Sequence, residues 1–230
     1  MTRLWLIVSL FLAAVTPVLS QQRQVKAGPL TISQKSYDFI VEAETGGKAY
    51  YMKRLVRPTW PGGASGVTIG LGYDLGYNTR SQIAADWSEL PKPQLEALMG
   101  CAGMTGQRAK TKTQSVRWIV IPWDVAERVF QKGTLPRFGR LTEGAFKKTA
   151  IQHPDVQGAM LSLVFNRGAS LTGASRREMK TISVYMPVSK IIPIPGEFRS
   201  MKRLWYGKGL DGLLTRREKE ARMIEATLKR

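Results

Sequence analysis

One segment, HPDVQGAMLSLVFNRG at residues 153–168, is apolar around almost its whole circumference when it is drawn as a helix. An amphipathic helix buries one face, whereas a helix with this pattern must be enclosed by other elements on every side. The sequence therefore predicts a central buried helix around which the rest of the 230-residue chain packs. That length suits one domain, or one domain with a small second lobe.

The elements predicted around this helix are a first helix, a small β region and further helices. Residues 33–44 carry apolar side chains at helical spacing, and Gly46 and Gly47 end the pattern. Residues 48–76 contain aromatic and β-branched runs broken by a turn-rich insert, which predicts an irregular β region. Two more helices are predicted from IPWDVAERVF and TRREKEARMIEATLKR. The expected fold class is α+β, with a cleft between a small β lobe and a larger helical lobe.

The charge of the chain restricts its partners. It carries 35 basic and 17 acidic residues, a formal net charge of +18, which favours nucleic acid, anionic lipid or an acidic wall polymer. Residues 1–20 have a basic start at Arg3, a short apolar core and small residues near the end. This pattern predicts a cleaved signal peptide, with a retained anchor as the alternative, and export disfavours intracellular nucleic acid. Residues 21–32 are expected to be flexible, and 33–230 to form the folded domain.

Metal and disulfide chemistry have few candidate residues in this sequence. The chain contains one cysteine, Cys101, and one histidine, His153, so an internal disulfide is excluded and a metal site of the usual ligands is disfavoured. We expect Cys101 to fill space in the core and His153 to lie in a loop or at a helix start. No cofactor is expected.

Glu44 and the segment GVTIGLGYDLG at residues 66–76 are the candidates for chemistry. Glycoside hydrolysis usually needs two carboxylates, one of them kept protonated. Glu44 lies on the apolar face at the C-terminal end of the first helix, where burial and the helix dipole disfavour a negative charge. The alternative is a helix-end residue paired with an arginine. A dinucleotide-binding loop requires a helix that begins directly after the glycines, and the residues after this glycine segment are typical of a turn instead. Thr68 would share one strand face with Gly70 and Gly72 and hold a water or sugar there, or it is simply a strand former.

These residues resemble a known enzyme family. A glutamate at the end of a first helix, then Tyr50 and Tyr51, then GVTIGLGYDLG, resembles the phage-type lysozymes of glycoside hydrolase family 24. The pesticin-like bacterial muramidases are more similar still. Three further segments agree in order and rough spacing, so that the resemblance spans about residues 33–225: IPWDVAERVF, AMLSLVFNRG and RLWYGKGLDGLLTRREKEA.

The resemblance implies a lysozyme-like α+β fold that cleaves the β-1,4 bond between N-acetylmuramic acid and N-acetylglucosamine in peptidoglycan. Glu44 matches the general acid, and Thr68 matches the threonine that helps to place the attacking water or the substrate. The phage pattern puts the second carboxylate about nine residues after the glutamate, where this chain has Lys53. The pesticin-like pattern puts it six residues after the threonine, which is Asp74. Asp74 is therefore expected to orient or activate water.

Other residues acquire expected roles from the same resemblance. Phe165 and Asn166 match a turn that borders the sugar cleft, and Tyr73 would stack on a sugar. Core packing is an equal alternative for Phe165. Arg216 or Arg217 would pair with the acidic glutamate, and the alternative is a solvated, charged helix start.

The expected partner is peptidoglycan, whose carboxylates and phosphates would attract a basic enzyme in the periplasm or outside the cell. An inhibitor or immunity protein is a further candidate partner, and the chain is expected to be a monomer that binds no nucleic acid. Two other functions stay open for this sequence. One is an inactive cationic wall-binding protein built on a lysozyme fold. The other is an enzyme of the same fold with different chemistry, such as a lytic transglycosylase or a chitosanase.

Overall fold

The computed structural model describes residues 23–229, and the predicted signal peptide at residues 1–20 lies outside them. The chain is mostly helical with two small antiparallel sheets, which confirms an α+β composition. The strands are β1 Gln24–Ala27, β2 Leu30–Ser33, β3 Thr68–Ile69 and β4 Tyr73–Asp74. The α-helices are α1 Gln34–Thr45, α2 Gly47–Arg54, α3 Arg80–Asp86, α4 Lys92–Met99, α5 Gly106–Val116, α6 Trp123–Val129, α7 Leu135–Ala145, α8 Pro154–Arg167, α9 Arg177–Tyr185, α10 Ile194–Ser200 and α11 Asp211–Leu228. No helix between residues 23 and 229 is long and apolar enough to cross a membrane.

Helix α8 is the central helix that its all-round apolar pattern predicts. Every residue from Asp155 to Val164 is buried, and α1, α7, α11 and β2 pack around it. Gly158 allows the close approach of α1, since a Cβ there would lie 2.2 Å from the Ser36 hydroxyl oxygen. His153 accepts a hydrogen bond from Asp155 N at the start of α8, which confirms its expected position.

The N-terminal segment differs from the prediction. Residues 21–32 were expected to be flexible, but β1 and β2 form a hairpin in which Leu30 and Ile32 are fully buried. Thr31 N also donates to Gln157 Oε1 of α8 at 2.7 Å. The segment is polar overall, and its apolar residues alternate over only one short strand, which is too little to predict a strand from sequence. Packing against the rest of the protein orders the segment.

Helix α1 is confirmed, but the β region that follows it is smaller than expected. Ser33 caps the first turn of α1, and Gly46 ends the helix in the left-handed conformation, at φ 70°. A second helix, α2, then begins at once inside the range expected to be β. Its alanine, lysine, methionine and arginine favour a helix, and buried Tyr51 anchors it by donating to Ile121 O at 2.9 Å. Within residues 48–76, strand structure is limited to the β3–β4 hairpin and two isolated bridges, one of which pairs Gly66 with Thr105.

Two hydrophobic cores flank the central helix. One joins the N-terminal hairpin, α1, the β3–β4 region and α3–α6, and the other joins the opposite side of α8 to α9–α11. Cys101 is fully buried in the first core, as expected. Both cores, as described, are built from residues between Ala27 and Ile224, so a chain that begins at Gln21 retains them.

Candidate active site

A cleft of about 540 Å³ lies between the β3–β4 hairpin and the helical part of the protein. Glu44 at the end of α1 and Asp74 in β4 both line it, although 30 residues separate them in sequence. A third carboxylate, Asp86 at the end of α3, lines the same cleft. Basic side chains supply part of the opposite wall: Lys132, Arg137 and Arg140.

Glu44 is anchored by an arginine from the last helix. Arg216 Nη2 lies 2.9 Å from Glu44 Oε1, and the Glu44 side chain keeps 27% of its exposure. Arg216 is itself buried and donates to both the carbonyl and the hydroxyl of Ser162 in α8, at 3.0 and 3.1 Å. The carboxylate is therefore held at the cleft by a charged group tied to the central helix, which confirms the expected pairing with Arg216 and differs from the apolar setting predicted for a general acid.

A buried network of charged side chains lies next to Arg216, on the side away from Glu44. Arg217 is fully buried and pairs with Glu220, not with Glu44, donating from Nη2 to Glu220 Oε1 at 2.8 Å. The same Oε1 lies 3.5 Å from Arg216 Nε. Burial raises the pKa of Glu220 and lowers that of Arg217 to about 10, with the attraction of Glu220 opposing the second shift. The alternative of a solvated helix start is therefore wrong for both arginines.

Asp74 has a structural role in addition to its position in the cleft. Its Oδ1 accepts from Gly76 N at 2.8 Å and its Oδ2 from Gly66 N at 2.9 Å. The carboxylate thereby ties β4 to the segments on either side of the hairpin. Gly66 permits this approach, because a Cβ there would lie 2.1 Å from Asp74 Oδ1. A carboxylate oxygen has two lone-pair directions, so each can also face water or substrate.

Thr68 lies opposite Asp74 on the neighbouring strand and does not itself line the cleft. The two are direct cross-strand partners in the β3–β4 hairpin, and Thr68 is not among the residues that line the cavity. Its expected alignment with Gly70 and Gly72 is wrong. Strand β3 ends at Ile69, and both glycines adopt left-handed conformations, at φ 56° and 75°, to form the turn.

The aromatic residues predicted to bind sugar differ in how much of their ring surface is exposed to the cleft. Tyr73 lines the cleft but is only 7% exposed, packs edge-on against Trp87 and donates to Asp86 Oδ2 at 2.6 Å. Burial raises the pKa of Tyr73. Phe165 lines the cleft while stacking on Phe138 with ring centroids 3.9 Å apart, so packing and cleft formation coincide there. Asn166 is not among the cleft-lining residues.

Several residues that line the cleft were not among the sequence candidates. Tyr77 lines the cleft and is 67% exposed, and its hydroxyl donates to Ala64 O at 3.0 Å. It therefore offers more open ring surface than Tyr73. Arg137 and Arg140, three residues apart on α7, share a helix face, which is the one local signal that could have suggested them. Asp86 has no such signal, because the fold alone brings it to the cleft.

A model for a family described as "Domain of unknown function (DUF8812)" matches residues 36–133, less than half of the chain. The matched region contains Glu44, Asp74 and Asp86 but ends before α8 and Arg216. No curated protein matches the sequence. In residues 23–229, no group of three His, Cys, Asp or Glu side chains is arranged to hold a metal ion.

Proposed function

We propose that the protein is an exported muramidase of lysozyme-like fold, which hydrolyses the β-1,4 bond between N-acetylmuramic acid and N-acetylglucosamine. The observation that carries this proposal is that Glu44 and Asp74 line the same open cleft, with Glu44 fixed by Arg216. Most glycoside hydrolases use a pair of carboxylates in a groove as their catalytic residues. The segments that resemble the phage-type and pesticin-like enzymes supply these same two residues.

In the proposed reaction Glu44 is the general acid. Glu44 first takes up a proton, because the structure pairs its carboxylate with Arg216, and that proton then passes to the glycosidic oxygen as the bond from that oxygen to the sugar C1 breaks. The negative charge that forms on Glu44 is stabilised by the guanidinium of Arg216, 2.9 Å away. Asp74 orients a water for attack on C1 and accepts its proton. The two backbone hydrogen bonds to Asp74 hold the carboxylate in one orientation for this task.

The remaining lining of the cleft suits an acidic glycan. The exposed ring of Tyr77 can stack on the apolar face of a sugar. Lys132, Arg137 and Arg140 provide positive charge for the carboxylates of the peptide stems. We assign the stacking contact with the sugar to Tyr77 rather than Tyr73, because the Tyr73 ring already packs against Trp87.

The hydrogen bonds of Asp74 favour a lytic transglycosylase as the second candidate. If both oxygens serve only to fasten the hairpin, Glu44 acts alone. It would then protonate the glycosidic oxygen and afterwards accept the proton of the muramic acid C6 hydroxyl as that oxygen attacks C1. The product is a 1,6-anhydro sugar, and no water is consumed.

Product analysis tests the proposal and separates the two candidates. The chain from Gln21 is incubated with purified peptidoglycan, and the soluble fragments are reduced with borohydride and weighed by mass spectrometry. We expect fragments that end in reduced N-acetylmuramic acid. Anhydro ends would move the assignment to a transglycosylase. The absence of any fragment, with the protein still bound to the wall, would overturn both activities in favour of a wall-binding protein.

A further inference from the structure

A second surface of the protein combines exposed aliphatic side chains with lysines, and we call it the distal surface. Four of the six most exposed large apolar side chains in the described residues lie there. They are Ile151, Val184, Val188 and Ile192, between 65% and 79% exposed. Scattered exposed aliphatic residues are normal, but a cluster of this kind marks an interaction site.

Two loops bring these side chains together. One loop precedes α8 and carries Ile151, and the other follows α9 and carries Val188 and Ile192. Gln152 Nε2 donates to Ser189 Oγ at 3.1 Å, which joins the loops side by side. Val184 lies four residues before Val188, one helical turn away, since α9 continues into a 3₁₀ turn.

The backbone of both loops is held in an unfavourable conformation. Lys148 and Ser189 are the only non-glycine residues with positive φ between residues 23 and 229, at 66° and 53°. Glu143 fastens the first loop by accepting from Lys148 N and Ala150 N, both at 2.8 Å. Strain of this kind persists where the surrounding structure enforces it, often at functional sites.

Positive charge predominates around the aliphatic cluster, although the Glu143 carboxylate fastens the first loop and Glu197 follows the second. Lys147, Lys148, Lys180 and Lys190 are all exposed, and neither 144–154 nor 179–196 contains an acidic residue. The interface of an anionic bilayer offers a phosphate layer for ammonium groups and an apolar boundary beneath it. A wall polysaccharide offers anionic groups but no apolar phase for four aliphatic side chains. The combination therefore favours a membrane.

The distal surface lies at the other end of α8 from the cleft. Phe165, which lines the cleft, is eleven residues beyond Pro154, so about 17 Å of helix separates the two ends. We propose that the distal surface docks the protein onto anionic phospholipid bilayers, with Val188 and Ile192 entering the interface. The cleft then stays open to substrate while the protein is bound. This inference does not depend on the proposed muramidase activity.

Co-sedimentation with lipid vesicles tests the proposal. The chain from Gln21, which lacks the apolar N-terminal segment, is mixed with vesicles of phosphatidylcholine and phosphatidylglycerol at 3:1, or of phosphatidylcholine alone. We expect binding to the anionic vesicles only. The double variant Val188→Ser/Ile192→Ser should weaken it at least about tenfold, since partial burial of two aliphatic side chains is lost. Lys180→Gln/Lys190→Gln should weaken it roughly 25-fold, because each lysine near an anionic surface contributes about fivefold.

Matched variants separate a defined surface from general attraction. Lys35→Gln/Lys92→Gln removes two exposed charges elsewhere, and Tyr206→Ser removes an apolar side chain that is 63% exposed. Both should bind within about twofold of the unchanged protein, as should Glu44→Gln. Equal losses in the distal and control variants would overturn the proposal, as would full binding by Val188→Ser/Ile192→Ser. Sedimentation with peptidoglycan but not with anionic vesicles would also overturn it, and melting temperatures exclude unfolding as the cause.

Discussion

Replacing Asp74 by Asn should destabilise the protein as well as impair catalysis, because the carboxylate accepts two backbone hydrogen bonds. Each such bond from an N–H group to a charged acceptor stabilises the folded state by about 1.5–3 kcal/mol. An asparagine keeps one acceptor oxygen and points its NH₂ group at the other N–H, from Gly66 or Gly76. Because Asp74 is only partly buried, water compensates in part and the lower end applies. We expect a loss of about 1.5–2 kcal/mol.

That loss predicts a measurable change in melting temperature. In a protein of this size 1 kcal/mol lowers the melting temperature by about 2–4 °C, so Asp74→Asn should melt roughly 3–8 °C lower. Asp74→Ala removes both acceptors and should lose about twice as much. Thermal unfolding followed by circular dichroism gives these values. If Asp74→Asn melts with the unchanged protein, the two hydrogen bonds do not hold the hairpin and the structural role is refuted.

Activity measured well below the melting temperature of the variant then isolates the catalytic role. A general base contributes typically about 10²–10⁴-fold, so Asp74→Asn should release peptidoglycan fragments at least about a hundred times more slowly. Asp86→Asn is the matched control, since Asp86 lines the same cleft and an amide oxygen can still accept from Tyr73. It should retain activity within about tenfold. A folded Asp74→Asn protein with full activity would refute the role of Asp74 in water activation.

Three further predictions follow from other contacts. Glu220→Gln leaves the buried guanidinium of Arg217 without its charge partner, so denaturant unfolding should show a loss of about 3–5 kcal/mol; an unchanged midpoint would contradict this. Tyr77→Ala should raise the KM for soluble glycan fragments more than it lowers kcat, and an unchanged KM would argue against stacking. Hydrogen bonds from Arg199 and neighbouring basic side chains lower the pKa of Glu218 from 4.5 to about 2. The stability that the Glu218 carboxylate contributes is therefore present above pH 4.5 and is lost as the pH falls toward 2. Melting curves of Glu218→Gln should therefore depend less on pH over that interval, and an identical dependence would contradict the assignment.

Patterns that need no tertiary information allowed parts of the fold to be predicted. The all-round apolarity of α8 predicts burial whatever surrounds it, and α1 ends at Gly46 because only glycine adopts that conformation without strain. Short segments were harder. The β1–β2 hairpin has too few residues for a periodicity to emerge, and Tyr50 and Tyr51 favoured a strand although they lie in α2.

Some residues of the candidate site could likewise be predicted from the sequence, and others could not. The helical periodicity of α1 places Glu44 at the end of its apolar face, whereas Asp74 was proposed as the second carboxylate only through the resemblance to the pesticin-like muramidases. The choice of Arg216 over Arg217 as the partner of Glu44 depends on the rotation of α11 against α8, which residue types do not define. Asp86 reaches the cleft from a segment with no motif, and Tyr77 directly follows the glycine segment without being part of the pattern that singled it out. Likewise, only the structure shows that Asp74 also fastens the hairpin.

The most direct test of the muramidase proposal compares Glu44→Gln with Glu42→Gln. Both remove one carboxylate from the same helix, but only Glu44 lines the cleft and pairs with Arg216. The rate of soluble fragment release from peptidoglycan is measured for both, with melting temperatures to confirm folding. The proposal predicts that Glu44→Gln releases fragments at least about a hundred times more slowly while Glu42→Gln matches the unchanged protein. Equal rates in all three proteins would contradict Glu44 as the general acid.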